Sequence, residues 1–446
     1  YSPKATEKVT GIPARKVAEI TDNFLSHSRS ALYNRIGTDL GTLPTFTDWL
    51  VKAVNLAANR LDRLGCMIFS KQIVGAAQLF QRLGVRNGTT HSRIRGYPST
   101  ASFLPAGVMA DEILTPGEGQ VRGLFMVSGN PMITVPNGAH LEKALKELEL
   151  FVALDFYEND TAVHADYILP AATPLEREEI NLASGNLQPI PYVQYVGAAI
   201  PPRGDARNDW RILRDLIIAV KLPVKTPPAL QKLVGSLPLN PKPLAYLYAA
   251  SRGVNPIKLK RNPHGVRVDG PHYNLVLGKK VLTRNGLANL DPRALPGILH
   301  QARSRFDELK KKKRPKNELL MITLRDRRSH NSWIHNCPSM MKSRKSNIAR
   351  MNTKDAERLG IAGDDRIRIK NKLGQIELPV KVTDNIMTGV IVVPHGWGHN
   401  PKAGWKTAAA TSGVNSNLLC DDQVLERPSG HPRMNGIPVQ VSRANK

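Results

Sequence analysis

Between residues 121 and 170 the chain changes its apolar texture in an order that few folds accommodate. "VRGLFMVSGNP" is a short apolar run closed by Ser-Gly-Asn-Pro, a turn signal. "AHLEKALKELEL" follows with Leu141, Ala144, Leu145 and Leu148 at helical spacing. "FVALDFYEND" and "ADYILPAA" are two further buried-strand candidates. Strand, helix, strand, short connection, strand is the pattern of a parallel α/β sheet, because a parallel pair needs a crossover between its members. Ligands of such sheets lie beyond the carboxyl ends of the strands, which puts Ser128 to Pro131 and Asp155 to Tyr157 on one rim.

The texture differs elsewhere. Residues 11–64 read as helical, with Ile12, Val17, Ile20 and Phe24 near one face. A strand-like "ALYNRIGT" follows, then the helical "FTDWLVKAVNLAANRL" with Leu50, Val54, Ala57 and Leu61 on one side. From Lys221 to about Asn317 the chain is first proline-rich, as in "KLPVKTPPALQKLVGSLPLNPKPL", then basic with little periodicity, which reads as a linker or irregular connection. From Glu318 the pattern is β. "ELLMITL" is a strand, and "TKDAERLGI" is a short helix after Asn352. "DRIRIKNKLGQIELPVKV" is a hairpin turning at Asn371 to Gly374, and "GVIVVPHGWGHN" is a buried strand ending in a glycine-histidine loop. A compact β-barrel of about 120 residues is the natural closure of such short strands.

Composition bounds the partners. With 446 residues, about three domains are expected. No apolar run approaches the ~20 residues of a membrane span. Lys plus Arg exceed Asp plus Glu by 63 to 37, a formal charge of +26. Such a field attracts anions and nucleic acid without naming either. Aromatic residues are 5% and are sparsely interleaved with the basic ones, so no stacking platform for single strands is evident and no specific nucleic acid is expected. Cys66, Cys337 and Cys420 stand far apart with no CxxC, which fits a reducing, cytoplasmic compartment. They form no four-cysteine ligand set for zinc or an iron–sulfur cluster.

Several short stretches carry polar groups suited to a ligand. In "VSGNP", Gly129 permits close backbone approach and Asn130 offers a donor and an acceptor; an ordinary β-turn reads the same way. Asp155 at the next strand end can accept two hydrogen bonds from a guanine edge, or it can be a solvated residue or helix cap. "RDRRSHNSWIHN" (Arg325 to Asn336) supplies arginine, serine and backbone N–H groups of the kind that hold phosphate oxygens. His330 and His335 are five apart, and Gly396 and Gly398 oppose a helix that would align His395 with His399, so both pairs read as polar loop residues rather than metal ligands. "TSGVNSNLL" adds Asn415 and Asn417, and "RMNGIPVQV" adds Asn435.

Taken in order, "GLFMVSGNP", "LDFYENDTAVHADYILPAATPLEREE", "RDRRSHNSW", "MNTKDAERLGI", "VVPHGWGH", "GVNSNLL" and "MNGIPVQV" resemble the molybdopterin oxidoreductases, the bis(molybdopterin guanine dinucleotide) enzymes that include formate dehydrogenases, nitrate reductases and dimethyl sulfoxide reductase. The resemblance implies Rossmann-like parallel-sheet domains followed by a double-psi β-barrel. The implied domains are 1–65, the end of one α/β cofactor-binding domain; 66–220, a second one; 221–317, a connection; and 318–446, the barrel. It implies a bis-molybdopterin guanine dinucleotide with molybdenum or tungsten, contacted by Gly37, Thr38, Ser128, Gly129, Asn130, Thr134, Asp155, Arg325, His330, Ser332, His395, Trp397, His399, Asn417 and Asn435. That family carries an iron–sulfur segment and the metal-ligating residue upstream of the matching region, so this chain reads as a carboxy-terminal portion. A small-molecule substrate and an electron-transfer protein partner are expected with it. A second reading is a structural subunit of an electron-transfer complex that kept the fold without the metal. A basic nucleic-acid binder would instead show steep salt dependence.

Overall fold

A strand, a helix and a second strand parallel to the first can close only by crossing over the sheet, and the chain does this at its centre. The computed structural model describes residues 1–69, 87–100, 103–181, 190, 192–220, 246, 249–250, 253–267, 276–279, 281, 283, 285–291, 295–342, 346–411, 413–427 and 429–444. β1 (Gly123–Val127), β2 (Leu150–Asp155) and β3 (Tyr167–Pro170) form a parallel sheet in the order β1-β2-β3, with Met126 beside Ala153 and Val127 beside Leu154. The crossover helix Gly138–Lys146 starts at Asn137, whose side chain accepts from the His140 N–H. It buries Leu141 and Leu145 against Met126, Phe151 and Ala153. Each such side chain contributes about 1.5–3 kcal/mol through the apolar area it removes from water. Leu154 and Ala171 pack on the other face against Ile212 of the helix Asp209–Ala219. Two small antiparallel ribbons flank this unit: β4 (Glu179–Ile180) with β6 (Tyr195–Val196), and β5 (Tyr192–Val193) with β7 (Val266–Arg267).

The carboxy-terminal strands close on themselves. β8 (Glu318–Leu324), β9 (Ala349–Met351), β10 (Arg366–Asn371), β11 (Gly374–Val382), β12 (Val390–Pro394) and β13 (Ile437–Arg443) form a barrel in the order β10-β11-β9-β12-β8-β13. β9 with β11 and β8 with β12 are parallel; the other neighbours are antiparallel. This mixed six-stranded closure fits the double-psi barrel expected. The β10–β11 hairpin turns between Asn371 and Gly374, as the alternation predicts, with Ile367 opposite Leu378 and Ile369 opposite Ile376. These four side chains point into a core shared with Leu319, Met321, Val380, Ile391 and Val439. Leu40, from the amino-terminal region, joins that core, and its carbonyl accepts the Met434 and Asn435 N–H groups at 2.9 Å each. The amino-terminal region and the barrel are therefore directly joined.

Several expectations are corrected. "ALYNRIGT" is not a strand: residues 31–35 are irregular and Ile36–Asp39 is a short helix. The reason is Asn55, which is fully buried; its amide accepts the Leu32 N–H at 2.9 Å and donates to the Leu32 carbonyl at 2.8 Å, completing the pairing that a neighbouring strand would supply. For the same reason the helix Pro44–Ala57 buries Val51 and Asn55, while Leu50 and Val54 of the expected face are exposed. Among the described residues of 1–65 there are helices but no ladder strand, so the expected first α/β domain is represented only by its helices there. The connection 221–317 contains the helices Pro256–Arg261 and Leu295–Lys311, the latter held by buried Leu295 and Ile298; its proline-rich opening lies outside the described residues. Among the described residues, no helix is long and apolar enough to cross a membrane.

Asn55→Ala leaves the Leu32 amide and carbonyl without their side-chain partner. It is expected to lower the unfolding free energy by about 1–3 kcal/mol in denaturant titrations, whereas Leu50→Ala on the exposed face changes it by less than about 0.5 kcal/mol.

Candidate functional site

Where β1 and β2 end, their loops meet three loops of the barrel. Ser128 leaves β1 in the left-handed region (φ 48°), donating its N–H to the Leu154 carbonyl at 2.9 Å. The strain of this turn falls on Ser128 and not on Gly129, where an added Cβ would meet only Pro131 Cδ at 3.8 Å. Asp155 closes β2 and organises both turns. Its carboxylate accepts from the Tyr157 N–H (3.0 Å), the Asn159 amide (3.1 Å) and the Gly129 N–H (3.4 Å). Burial raises the Asp155 pKa to about 6 against the lowering effect of these donors.

The next residues tie the sheet to the barrel. Asp160 is buried and accepts from the Asn130 amide (2.8 Å), from His399 Nδ1 (3.0 Å) and from the Asn400 N–H. The carbonyl of the Asn130 side chain accepts the Thr161 hydroxyl at 2.9 Å, and its amide also lies 3.4 Å from Ser332 Oγ in the arginine-rich loop. Because Asp160 accepts only, it fixes the proton of His399 on Nδ1; His399 Nε2 then faces His335 Nδ1 at 3.0 Å. His335 stacks against Trp397 and His399 meets the edge of Trp405. A carboxylate and two imidazoles thus form a buried chain across the boundary.

A second tie comes from the "GVNSNLL" loop. Asn415 donates to the Met132 carbonyl (3.0 Å) and Asn417 to the Ile133 carbonyl (2.7 Å), and the Asn417 carbonyl accepts the Asn137 N–H at 3.0 Å. Asp422 adds contacts to His140 Nδ1 (2.6 Å) and to the Asn137 amide (2.9 Å). The glycine-histidine loop fits between the other two loops because it lacks side chains at two positions. Both Gly396 and Gly398 have φ 90°; a Cβ would lie 1.8 Å from the Asn331 carbonyl oxygen at the first and 2.3 Å from the Asn415 nitrogen at the second.

Within this junction several buried polar atoms have no protein partner among the described residues. Arg325 Nε, His395 Nε2, Trp397 Nε1 and Ser416 Oγ are among them. His395 Nδ1 lies 3.3 Å from the Asn417 side-chain carbonyl, whose amide is already committed to Ile133, so Nδ1 carries the hydrogen and Nε2 presents a lone pair. Burial, with the nearby Arg325 charge, lowers the His395 pKa to about 4, which keeps that lone pair free at neutral pH. Burial also lowers the Arg325 pKa from its ordinary value; its guanidinium bonds Asn331 and pairs with no carboxylate among the described residues. A guanidinium N–H, a ring acceptor, an indole N–H and a hydroxyl are thereby buried without a partner among the described residues.

The expected residues divide into four groups. Asn130, Asp155, Arg325, Ser332, His395, Trp397, His399 and Asn417 are brought together here, with Ser128 and Gly129 on the same rim. Thr134 stays within its turn, donating to the Asn130 carbonyl at 3.0 Å. Asn435 bridges to another edge: its side chain accepts from Thr323 N–H (2.8 Å) and donates to the Gly37 carbonyl (2.7 Å). Gly37 and Thr38 are exposed there, and the Thr38 hydroxyl returns to Arg35. His330 is exposed at φ 43° and lies outside the buried cluster. Sequence reasoning missed Asn159, Asp160, Thr161 and the pairing of His335 with His399. The acidic and amide run "END" was the available signal.

For Asp155 the sign of the pH effect follows from its raised pKa. Between about pH 4 and 6 the folded state holds this proton more tightly than the unfolded state, so the Asp155 contribution to stability is present in full below pH 4 and is lost as pH rises through 6. Comparing unfolding free energies at several pH values should show this slope in the wild type and its loss in Asp155→Asn, whatever the absolute stability of the variant.

The fold agrees with comparisons to known proteins. Residues 35–219 match the molybdopterin oxidoreductase model, and residues 319–438 match the molydopterin dinucleotide binding domain model. A formate dehydrogenase alpha subunit of Methanococcus maripaludis is 26% identical over 416 residues, covering 88% of this chain and 57% of that protein. The molybdopterin-containing subunit of thiosulfate reductase from Salmonella typhimurium is 28% identical over 330 residues, covering 69% of this chain and 42% of that one. Among solved structures, acetylene hydratase from Pelobacter acetylenicus superposes with a TM-score of 0.72 at 16% identity, over 99% of this chain and 64% of that chain, a likeness of fold. The chain therefore spans little more than half the length of the first of these relatives. From its sheet rim to its closed barrel, this chain belongs to the molybdopterin oxidoreductase family.

Proposed function

We propose that this chain is the cofactor-binding part of a molybdenum or tungsten bis(molybdopterin guanine dinucleotide) oxidoreductase, of the formate dehydrogenase and nitrate reductase kind. The observation that carries this reading is the set of buried polar atoms left open at the junction, Arg325 Nε, His395 Nε2 and Trp397 Nε1. A buried donor or acceptor without a partner costs about 1–3 kcal/mol, so a native protein keeps such a set where a ligand completes it. The donor set suits the group. Arg325 is the cation for a pyrophosphate oxygen, Trp397 an N–H donor to a ring carbonyl, and His395 an acceptor for a ring N–H.

Such a cofactor, when bound, supplies two-electron redox chemistry, and the protein supplies position and electrostatics. Arg325, half-buried and with no carboxylate partner among the described residues, offsets anionic charge. His395, held neutral and aimed by Asn417, accepts a hydrogen bond without itself adding charge. Asp155 orders the Gly129 and Tyr157 turns where a guanine edge would lie, and Ser128, Asn130 and Thr134 shape the same rim. Gly37, Thr38 and Asn435 form the second edge, and His330 and Ser332 the loop between. Trp397, His399 and Asn417 hold the barrel loops against the sheet. In this reading the protein works on a small-molecule substrate with an electron-transfer protein partner. An iron–sulfur cluster and the metal ligand would come from polypeptide preceding this region. The compartment would be the reducing cytoplasm, to which its three free cysteines are suited.

Elemental analysis of the purified full-length protein, with guanine nucleotide measured after acid release, tests the reading. Molybdenum or tungsten together with guanine nucleotide is expected, and Arg325→Ala combined with His395→Ala should lower nucleotide content at least tenfold while circular dichroism stays unchanged. Protein with neither metal nor guanine nucleotide would overturn the proposal in favour of a structural subunit.

A further inference from the structure

A separate hollow of about 450 Å³ lies at the amino-terminal region, lined by Ser28, Arg29, Asn59, Arg60, Arg63 and Cys66. No carboxylate lines it, and none pairs with these three arginines among the described residues. The nearest acid in sequence, Asp62, is buried and does not line the hollow; its carboxylate accepts the Val276 and Leu277 N–H groups at 2.8 and 3.0 Å.

One wall is held by hydrogen bonds. Arg60 Nε donates to Ser30 Oγ (3.0 Å), and its terminal nitrogens donate to the Ala58 (3.0 Å) and Leu25 (3.1 Å) carbonyls. These bonds satisfy donors without neutralising the charge. The aliphatic stem of Arg29 lies over Gly65, where a Cβ would stand 2.7 Å from Arg29 Cγ and φ is 77°, on the left-handed side. Arg63 leads into the turn closed by the Cys66 N–H to Arg63 carbonyl bond at 3.1 Å. The guanidinium groups of Arg29 and Arg63 make no hydrogen bond or ion pair with any described residue, and both residues are exposed.

None of the residues that line the hollow belongs to the junction. The helix Pro44–Ala57 has 14 residues and so spans about 20 Å. Thr45 at its start bonds Glu426 of the barrel side, while Asn59 and Arg60 lie past its other end. Three like charges around one space repel one another, and an anion between them relieves that repulsion. A carboxylate would offset one charge; a phosphate dianion offsets two and offers oxygens in the geometry that guanidinium forks match. The volume falls within the ~300–1,000 Å³ of small-molecule sites.

We propose that Arg29, Arg60 and Arg63 form a binding site for a phosphate dianion, free or as the monoester of a small molecule. Calorimetric titration of the full-length protein with inorganic phosphate and with glycerol 3-phosphate, in a phosphate-free buffer, tests this. Saturable one-site binding is expected, and Arg29→Gln with Arg63→Gln should weaken it at least tenfold. Lys313→Gln with Arg314→Gln, which removes the same charge from an exposed stretch, should leave it within twofold. Tighter binding of glycerol 3-phosphate would assign a monoester, and tighter binding of inorganic phosphate the free ion. Equal weakening by the two double variants, unchanged binding by the first, or no saturable binding at all would overturn the proposal. None of these outcomes depends on whether the junction holds its cofactor.

Discussion

The buried carboxylate of Asp160 is the contact on which the geometry of the junction depends. It sits at the end of a sheet loop and takes three donors from two places: the Asn130 amide on the sheet rim, and the His399 ring and Asn400 N–H of the glycine-histidine loop. A carboxylate removed from water is stabilised only when hydrogen bonds replace its solvation, so these donors cannot drift independently. The sheet rim, the glycine-histidine loop and, through His335, the arginine-rich loop are held to one arrangement. Arg325, His395 and Trp397 lie in the loops held this way, each with a buried polar atom that has no partner among the described residues.

The other ties act in the same sense. Asn415 and Asn417 satisfy carbonyls in the turn after β1, and Gly396 and Gly398 let three loops approach to backbone contact. At the opposite edge, Leu40 enters the barrel core while Asn435 spans Thr323 and Gly37. Preorganisation of this kind lowers the ordering cost of binding a large polar cofactor. Much of the polar inventory here is buried and bonded to other loops, so these side chains hold the loops together.

How much of this was legible in the sequence depends on the range of the interaction. The β10–β11 hairpin was readable because a closed barrel buries one side of each strand, so Ile367, Ile369, Ile376 and Leu378 alternate with polar residues. The helix Gly138–Lys146 was readable because its buried side faces one sheet. The helix Pro44–Ala57 was misphased because its buried face includes an amide, Asn55, that substitutes for a strand at Leu32. The motif order located the loops, and Asn130, Arg325 and His395 were picked out by residue type. The Asp160–His399–His335 chain was not, since its members are far apart along the chain and no local periodicity marks them. Glycine at 396 and 398 signalled only that no helix could form there; the neighbours that require glycine belong to other loops.

The coupling between Asp160 and His399 is the most direct measure of whether the sheet and barrel are locked by this contact. In a double-mutant cycle built from Asp160→Ala, His399→Ala and the double variant, unfolding free energies should show a coupling of about 1 kcal/mol or more, as expected for directly bonded buried groups. Additivity within about 0.3 kcal/mol would mean that the two residues stabilise their loops independently, and would contradict the interlock from which the site's geometry follows.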